Sequence, residues 1–108
     1  MKNEYFPDNW VVVKFLDHYR ILAGWSGDYV TPDSWRMNSG ITKVEQDPDV
    51  KDYLIFYGSS GSAYFCQKDT YCLRMNNAYV WSQLQEKYGD KVNIMPENTD
   101  WFSVDWLI

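Results

Sequence analysis

The stretch Tyr53-Leu54-Ile55-Phe56-Tyr57-Gly58-Ser59-Ser60-Gly61-Ser62-Ala63-Tyr64-Phe65-Cys66-Gln67 carries the clearest structural signal in this sequence. Two short aromatic-rich runs, Tyr53 to Tyr57 and Ser62 to Gln67, flank a loop with glycine at both ends. Aromatic side chains fit a pleated surface, and a short glycine-bounded loop turns the chain back, so an antiparallel hairpin is predicted. Alternation puts Leu54 and Phe56 on one face and Tyr53, Ile55 and Tyr57 on the other. Both faces are apolar, so this pair is expected to be central and covered on two sides.

Toward the N-terminus, Trp10 to Leu16 reads as a strand built on β-branched Val11, Val12 and Val13. Asp17-His18 makes a turn, and Tyr19 to Trp25 completes a second hairpin. Thr31-Pro32-Asp33-Ser34 is turn chemistry. Trp35 to Glu45 follows as a strand broken at Ser39-Gly40, with a bulge expected near Gly40. Gln46 to Asp49 is a loop.

Toward the C-terminus, a helix is predicted from Ala78 to Tyr88, capped by Asn76 or Asn77 and ended by Gly89. Trp81, Leu84 and Tyr88 form its apolar stripe. Lys91 to Met95 is a short strand. In the tail, Phe102, Val104, Trp106 and Ile108 would share one strand face, with a helical turn from Thr99 as the competing reading. An apolar terminus should be docked in either case. Several strands and one late helix indicate a single α+β domain over residues 1–108. The expected form is a strongly bent antiparallel sheet or small SH3-like barrel with the helix packed on it.

Aromatic residues make up 19% of the 108-residue chain, including six Trp and nine Tyr, enough to build a core from few side chains. Ten basic residues face fifteen acidic ones, for a net charge of −5. With no basic run, direct binding to nucleic acid or an anionic membrane is disfavoured. An acidic balance suits solubility or a basic partner protein. The N-terminus lacks the apolar core of a signal peptide, and the run Trp10 to Val13 is too short to span a bilayer. A cytoplasmic location is therefore expected, with Cys66 and Cys72 reduced and structural.

The sequence holds no recognisable constellation for reaction chemistry. His18 is the one histidine, in a turn beside Asp17. The Gly58 to Gly61 loop lacks the helix of a nucleophile elbow and the Gly-Lys-Ser/Thr of a phosphate loop. Asp47, Asp49 and Asp52 cluster, but a calcium loop starting at Asp47 would hold Asp52 where Gly is needed and Gly58 where Glu is needed. No metal or cofactor site is expected, and no catalytic residue is nominated. The segment Ser34-Trp35-Arg36-Met37-Asn38-Ser39-Gly40 is the most informative for function. Arg36 offers a planar fork, and Asn38 both donates and accepts. With Trp35, Ser59, Ser60 and Tyr64 they are the candidate partner- or ligand-binding residues.

Three stretches, Leu22-Ala23-Gly24-Trp25, Ser34 to Ile41 and Tyr57 to Tyr64, resemble small uncharacterised accessory proteins of tailed bacteriophages. The resemblance covers about the first two-thirds of the chain and transfers no catalytic residue. It implies a protein made inside an infected bacterium, in the host cytoplasm, acting on host enzymes or host defence.

The leading expectation is thus a non-enzymatic protein that binds and modulates a host protein. The alternative is a nucleotide-type ligand binder using Trp35, Arg36, Asn38 and the Ser59-Ser60 loop. A sugar-binding module and an enzyme rank behind these.

Overall fold

A computed structural model describes residues 3–106. In chain order it holds β1 (Glu4–Tyr5), β2 (Asn9–Lys14), β3 (Tyr19–Trp25), β4 (Ser34–Met37), β5 (Ile41–Gln46), β6 (Tyr53–Gly58), β7 (Ala63–Gln67), α1 (Met75–Tyr88) and β8 (Asn93–Ile94). The architecture is α+β, with its one α-helix among the described residues in the C-terminal half. The strands are divided between two four-stranded sheets, β4-β3-β2-β8 and β1-β7-β6-β5, neither of which closes into a barrel. All pairings are antiparallel except β1 with β7.

Both hairpins form where the sequence places them, β2 with β3 and β6 with β7. The strand run broken at Ser39-Gly40 becomes β4 and β5, which belong to different sheets. The register irregularity falls just after the break, between Ile41 and Lys43.

The valine run of β2 faces two ways because period-2 alternation leaves it no choice. Trp10 and Val12 enter the core between the sheets, with Ile21, Leu54, Phe56, Tyr64 and Cys66. Val11 and Val13 pack on the other side, with Leu22, Val80 and Val92, under α1. β6 and β7 are the inner strands of their sheet, as expected, but the pair covered by other elements on both faces is β2–β3, a correction to that part of the expectation. The outer face of the β5–β6–β7 sheet carries only side chains: Lys43 lies 4.8 Å from the Tyr57 ring centre and Phe6 stacks on Phe65 at 4.7 Å.

The helix starts at Met75, three residues before the predicted Ala78, because Asn76 and Asn77 are not caps exposed to solvent. Both are buried in its first turn. Asn77 Oδ1 accepts the Arg74 backbone N–H at 2.9 Å, and its Nδ2 donates to the Leu22 carbonyl at 3.2 Å. Asn76 exchanges hydrogen bonds with buried Asn9, at 2.8 and 3.1 Å. Asn9 Nδ2 also lies 3.2 Å from Asn77 Oδ1 and from the Cys72 carbonyl. Gly24 makes room for this cluster: a Cβ there would sit 2.1 Å from Asn76 Oδ1. At the far end Gly89 ends the helix as expected, with a positive φ of +58°, but its ψ of −126° is not the left-handed helical conformation predicted for it.

The tail is neither a strand nor a helix. Asp100 accepts from the Phe102 N–H and the Ser103 hydroxyl and closes a turn. The turn sends Trp101 and Trp106 into the core and leaves Phe102 exposed, so Phe102 and Trp106 do not share a face. Ile108 lies outside the described residues. Tyr71 ties the tail to β2: its hydroxyl accepts the Val12 N–H and donates to the Met95 carbonyl. Of the cysteines, Cys66 is fully buried, and burial raises its thiol pKa well above the ordinary value; Cys72 is half-buried, and both are free.

Two predictions follow from this packing. Gly24→Ala should destabilise the fold by about 1–3 kcal/mol through overpacking, and Asn76→Ala by a similar amount through unpaired buried amides. In urea denaturation the double variant should lose clearly less than the sum, since Asn76→Ala vacates the space that the new methyl needs. Strict additivity would mean that the contact does not position the helix. Burial also pushes the Tyr64 and Tyr71 phenols up to about 12 from 10.0. The neutral phenol is the form the fold favours, so this stabilisation is complete below pH 10.0 and is lost as the pH climbs through about 12. Absorbance at the phenolate band should show these tyrosines ionising late and together with alkaline unfolding; ionisation of every tyrosine in one step with the fold intact would contradict it.

Candidate functional site

β4 is an edge strand, hydrogen-bonded to β3 on one side and to no strand on the other among the described residues. Met37 turns toward the helix side and packs with Leu22 and Val80. Trp35 has the same parity, lies opposite Gly24 on the open edge of the sheet, and stays 41% exposed. Arg36 faces the other way, opposite Ala23. Its guanidinium lies 4.6 Å from the Tyr5 ring centre, and its charge acts on the Tyr64 phenol. Tyr5 stacks on Tyr64 at 4.9 Å and meets Trp25 edge-on at 6.2 Å. Arg36 is thus fixed by a ring cluster where the two sheets meet while remaining exposed. It lowers the Tyr64 pKa, but burial outweighs it.

The loop before β4 presents more apolar surface. Asp28 Oδ1 accepts the N–H groups of Val30 and Thr31, at 2.8 and 2.7 Å, and its own N–H donates to the Thr31 carbonyl. These backbone hydrogen bonds, Thr31 first, hold the Asp28 carboxyl below its usual range. The turn therefore centres on Asp28, upstream of the predicted Thr31 to Ser34, and holds Tyr29 and Val30 out in solvent.

The other nominated residues divide differently. Asn38 is buried, not available to a ligand: its Oδ1 accepts the Ile21 N–H at 2.9 Å and its Nδ2 donates to the Gly40 carbonyl. It extends the β3–β4 ladder past the point where β4 ends, which is how a polar residue is buried there without penalty. Tyr64 is buried as well, stacked against Tyr5. Ser59 and Ser60 occupy the tip of the β6–β7 hairpin. Ser59 N–H donates to the Gly40 carbonyl at 2.8 Å, and its hydroxyl pairs with that of Ser39 at 2.6 Å. The contacts of Ser59 run to the β4–β5 crossover, and those of Arg36 run to Tyr5 and Tyr64. The residues proposed for a shared nucleotide grip do not converge on one pocket.

A concave surface that the sequence reading passed over lies between the β2–β3 turn and the C-terminal end of α1. It is a groove of about 350 Å³ lined by Phe15, His18, Arg20, Met37, Leu84 and Tyr88, with Lys91 at its rim. The one signal in the sequence was Arg20, a cation inside the apolar strand run Tyr19 to Trp25. Here His18 does acquire partners. Its Nδ1–H donates to Asp17, and its Nε2 accepts the Arg20 Nε–H at 2.8 Å. Both ring nitrogens are engaged, and the His18 hydrogen bond holds the Asp17 pKa below its usual value. The acidic loop behaves as solvated turn chemistry, since Asp47 Oδ1 accepts the N–H groups of Asp49 and Val50. Among the described residues no three metal-ligating side chains cluster, and no helix is long and apolar enough to cross a membrane.

No family model, no curated protein and no solved structure matches this chain.

Proposed function

We propose that this protein works by binding another protein along the β4 edge, as a non-enzymatic accessory protein of a bacteriophage that modulates a host protein in takeover of the cell or evasion of its defences. The observation that carries the reading is the exposed edge strand with Trp35 and Arg36, flanked by solvent-facing Tyr29 and Val30. Trp, Tyr and Arg dominate interface energetics because each combines large contact area with directional bonding. An open strand edge adds main-chain hydrogen bonds to a partner. Arg36 is also oriented before binding by Tyr5 and Tyr64, so little side-chain entropy remains to be lost. The placement in an infected cell rests on the sequence resemblance. The nucleotide-type alternative loses its footing at the residues first named for it, because Asn38 is buried and Ser59 bonds elsewhere.

Affinity purification of the tagged chain from bacterial lysate tests this reading. The wild-type protein should retain one host protein at defined stoichiometry. Trp35→Ala with Arg36→Ala should weaken that retention at least tenfold, about 1.4 kcal/mol, while the chain still unfolds in one cooperative transition. A wild-type chain that elutes alone, or a partner held equally by the double variant, would refute it.

A further inference from the structure

We propose that the groove between the β2–β3 turn and the end of α1 is a second binding site, for a small monocarboxylate with an apolar body. It is independent of the β4 edge. The head-group position is set by Arg20. Its Nε is held by His18, His18 is held in turn by Asp17, and the guanidinium lies 5.2 Å from the Phe15 ring centre. Phe15 stacks flat against His18, 4.9 Å between centres and 8° between planes. The chain Asp17–His18–Arg20 therefore uses one donor of the guanidinium to fix its plane and leaves the terminal amino groups for a ligand. No carboxylate is in ion-pair contact with Arg20 or Lys91 among the described residues.

A fixed guanidinium fork matches a carboxylate with two parallel hydrogen bonds. The charge of the lining decides between anions. Arg20 and Lys91 supply two positive charges, Asp17 one negative, and His18 is the neutral Nδ1–H tautomer that its two hydrogen bonds require. The remainder, +1, complements a monoanion and leaves a phosphate dianion half compensated. The rest of the wall is apolar: Met37, Leu84 and Tyr88, the last edge-on to Phe15 at 5.9 Å. At about 350 Å³ the groove lies at the small end of the range for small-molecule sites.

Amide-resolved NMR titration of the full chain with 3-phenylpropionate tests the proposal. Saturable shifts should map to Phe15, Arg20, Leu84 and Tyr88. The neutral 3-phenylpropionamide and acetate should each bind at least about tenfold more weakly, the scale of a lost charge-assisted bond or a lost apolar body, and phenyl phosphate, whose second charge the lining leaves uncompensated, should bind more weakly than 3-phenylpropionate. Arg20→Gln should weaken 3-phenylpropionate to the same degree, and Lys91→Gln, at an exposed position, does so without risk to the fold. Trp35→Ala with Arg36→Ala should leave this titration unchanged. Shifts that never saturate, shifts confined to other regions, or equal binding of amide and acid would overturn the proposal. Tighter binding of phenyl phosphate would also overturn it and assign the groove to phosphate esters. Failure here would leave the β4 reading untouched, since that reading is measured by protein retention.

Discussion

Three buried asparagines hold the helix in its place, and the groove depends on where the helix lies. Asn9 on β2 and Asn76 and Asn77 in the first turn of α1 satisfy one another and the carbonyls of Leu22 and Cys72. An unpaired amide in that position would cost about 1–3 kcal/mol, so alternative placements of the helix lose the whole set together. Apolar packing of Val80 on Val11 and Val13 supplies attraction but little direction. The amides supply the register. With the N-terminal end pinned opposite Gly24, fourteen residues of helix carry Leu84 and Tyr88 to the level of Phe15 and Met37, and the groove exists there as a consequence.

A second constraint is the crossover from β4 to β5. The chain must leave one sheet and enter the other within Asn38 to Gly40. Asn38 makes this workable by giving Ile21 a side-chain acceptor where the backbone has already turned away. The Ser59 N–H bonds Gly40 from the opposite sheet. β4 consequently ends as a short edge strand, with Arg36 beside Tyr5 of the other sheet. The aromatic cluster around Arg36 follows from the parallel pairing of β1 with β7, which brings Tyr5 onto Tyr64.

The core between the sheets is dominated by large rings. Trp10 contacts Phe56, Tyr71 and Trp101, and Phe56 meets Trp101 and Trp106 edge-on. Two of these rings come from the tail after β8, so the core is completed only when the last described residues fold back. This accounts for the irregular path of the tail. Its backbone is shaped by where Trp101 and Trp106 must go, with Asp100 and Tyr71 as the polar fixings.

The sequence by itself determined the local elements. The two hairpins, the break at Ser39-Gly40, the glycine stop at Gly89 and the late helix all rest on interactions within a few residues, which composition and spacing report directly. It also nominated Trp35, Arg36 and Asn38 together as binding residues, of which Trp35 and Arg36 are exposed and Asn38 is buried. Only the tertiary structure decided which faces are covered. The run Tyr53 to Tyr57 is as apolar on both faces as Val11 to Val13, yet the helix packs on the latter, because Asn9 and Gly24 receive the asparagines of α1. The same long-range contacts turned Asn38 from a candidate ligand group into a ladder hydrogen bond. They joined Arg20 to Leu84, Tyr88 and Lys91, residues more than sixty positions away in the chain. A partner that distant leaves no periodicity and no motif, since its position is fixed by packing and not by neighbours along the chain.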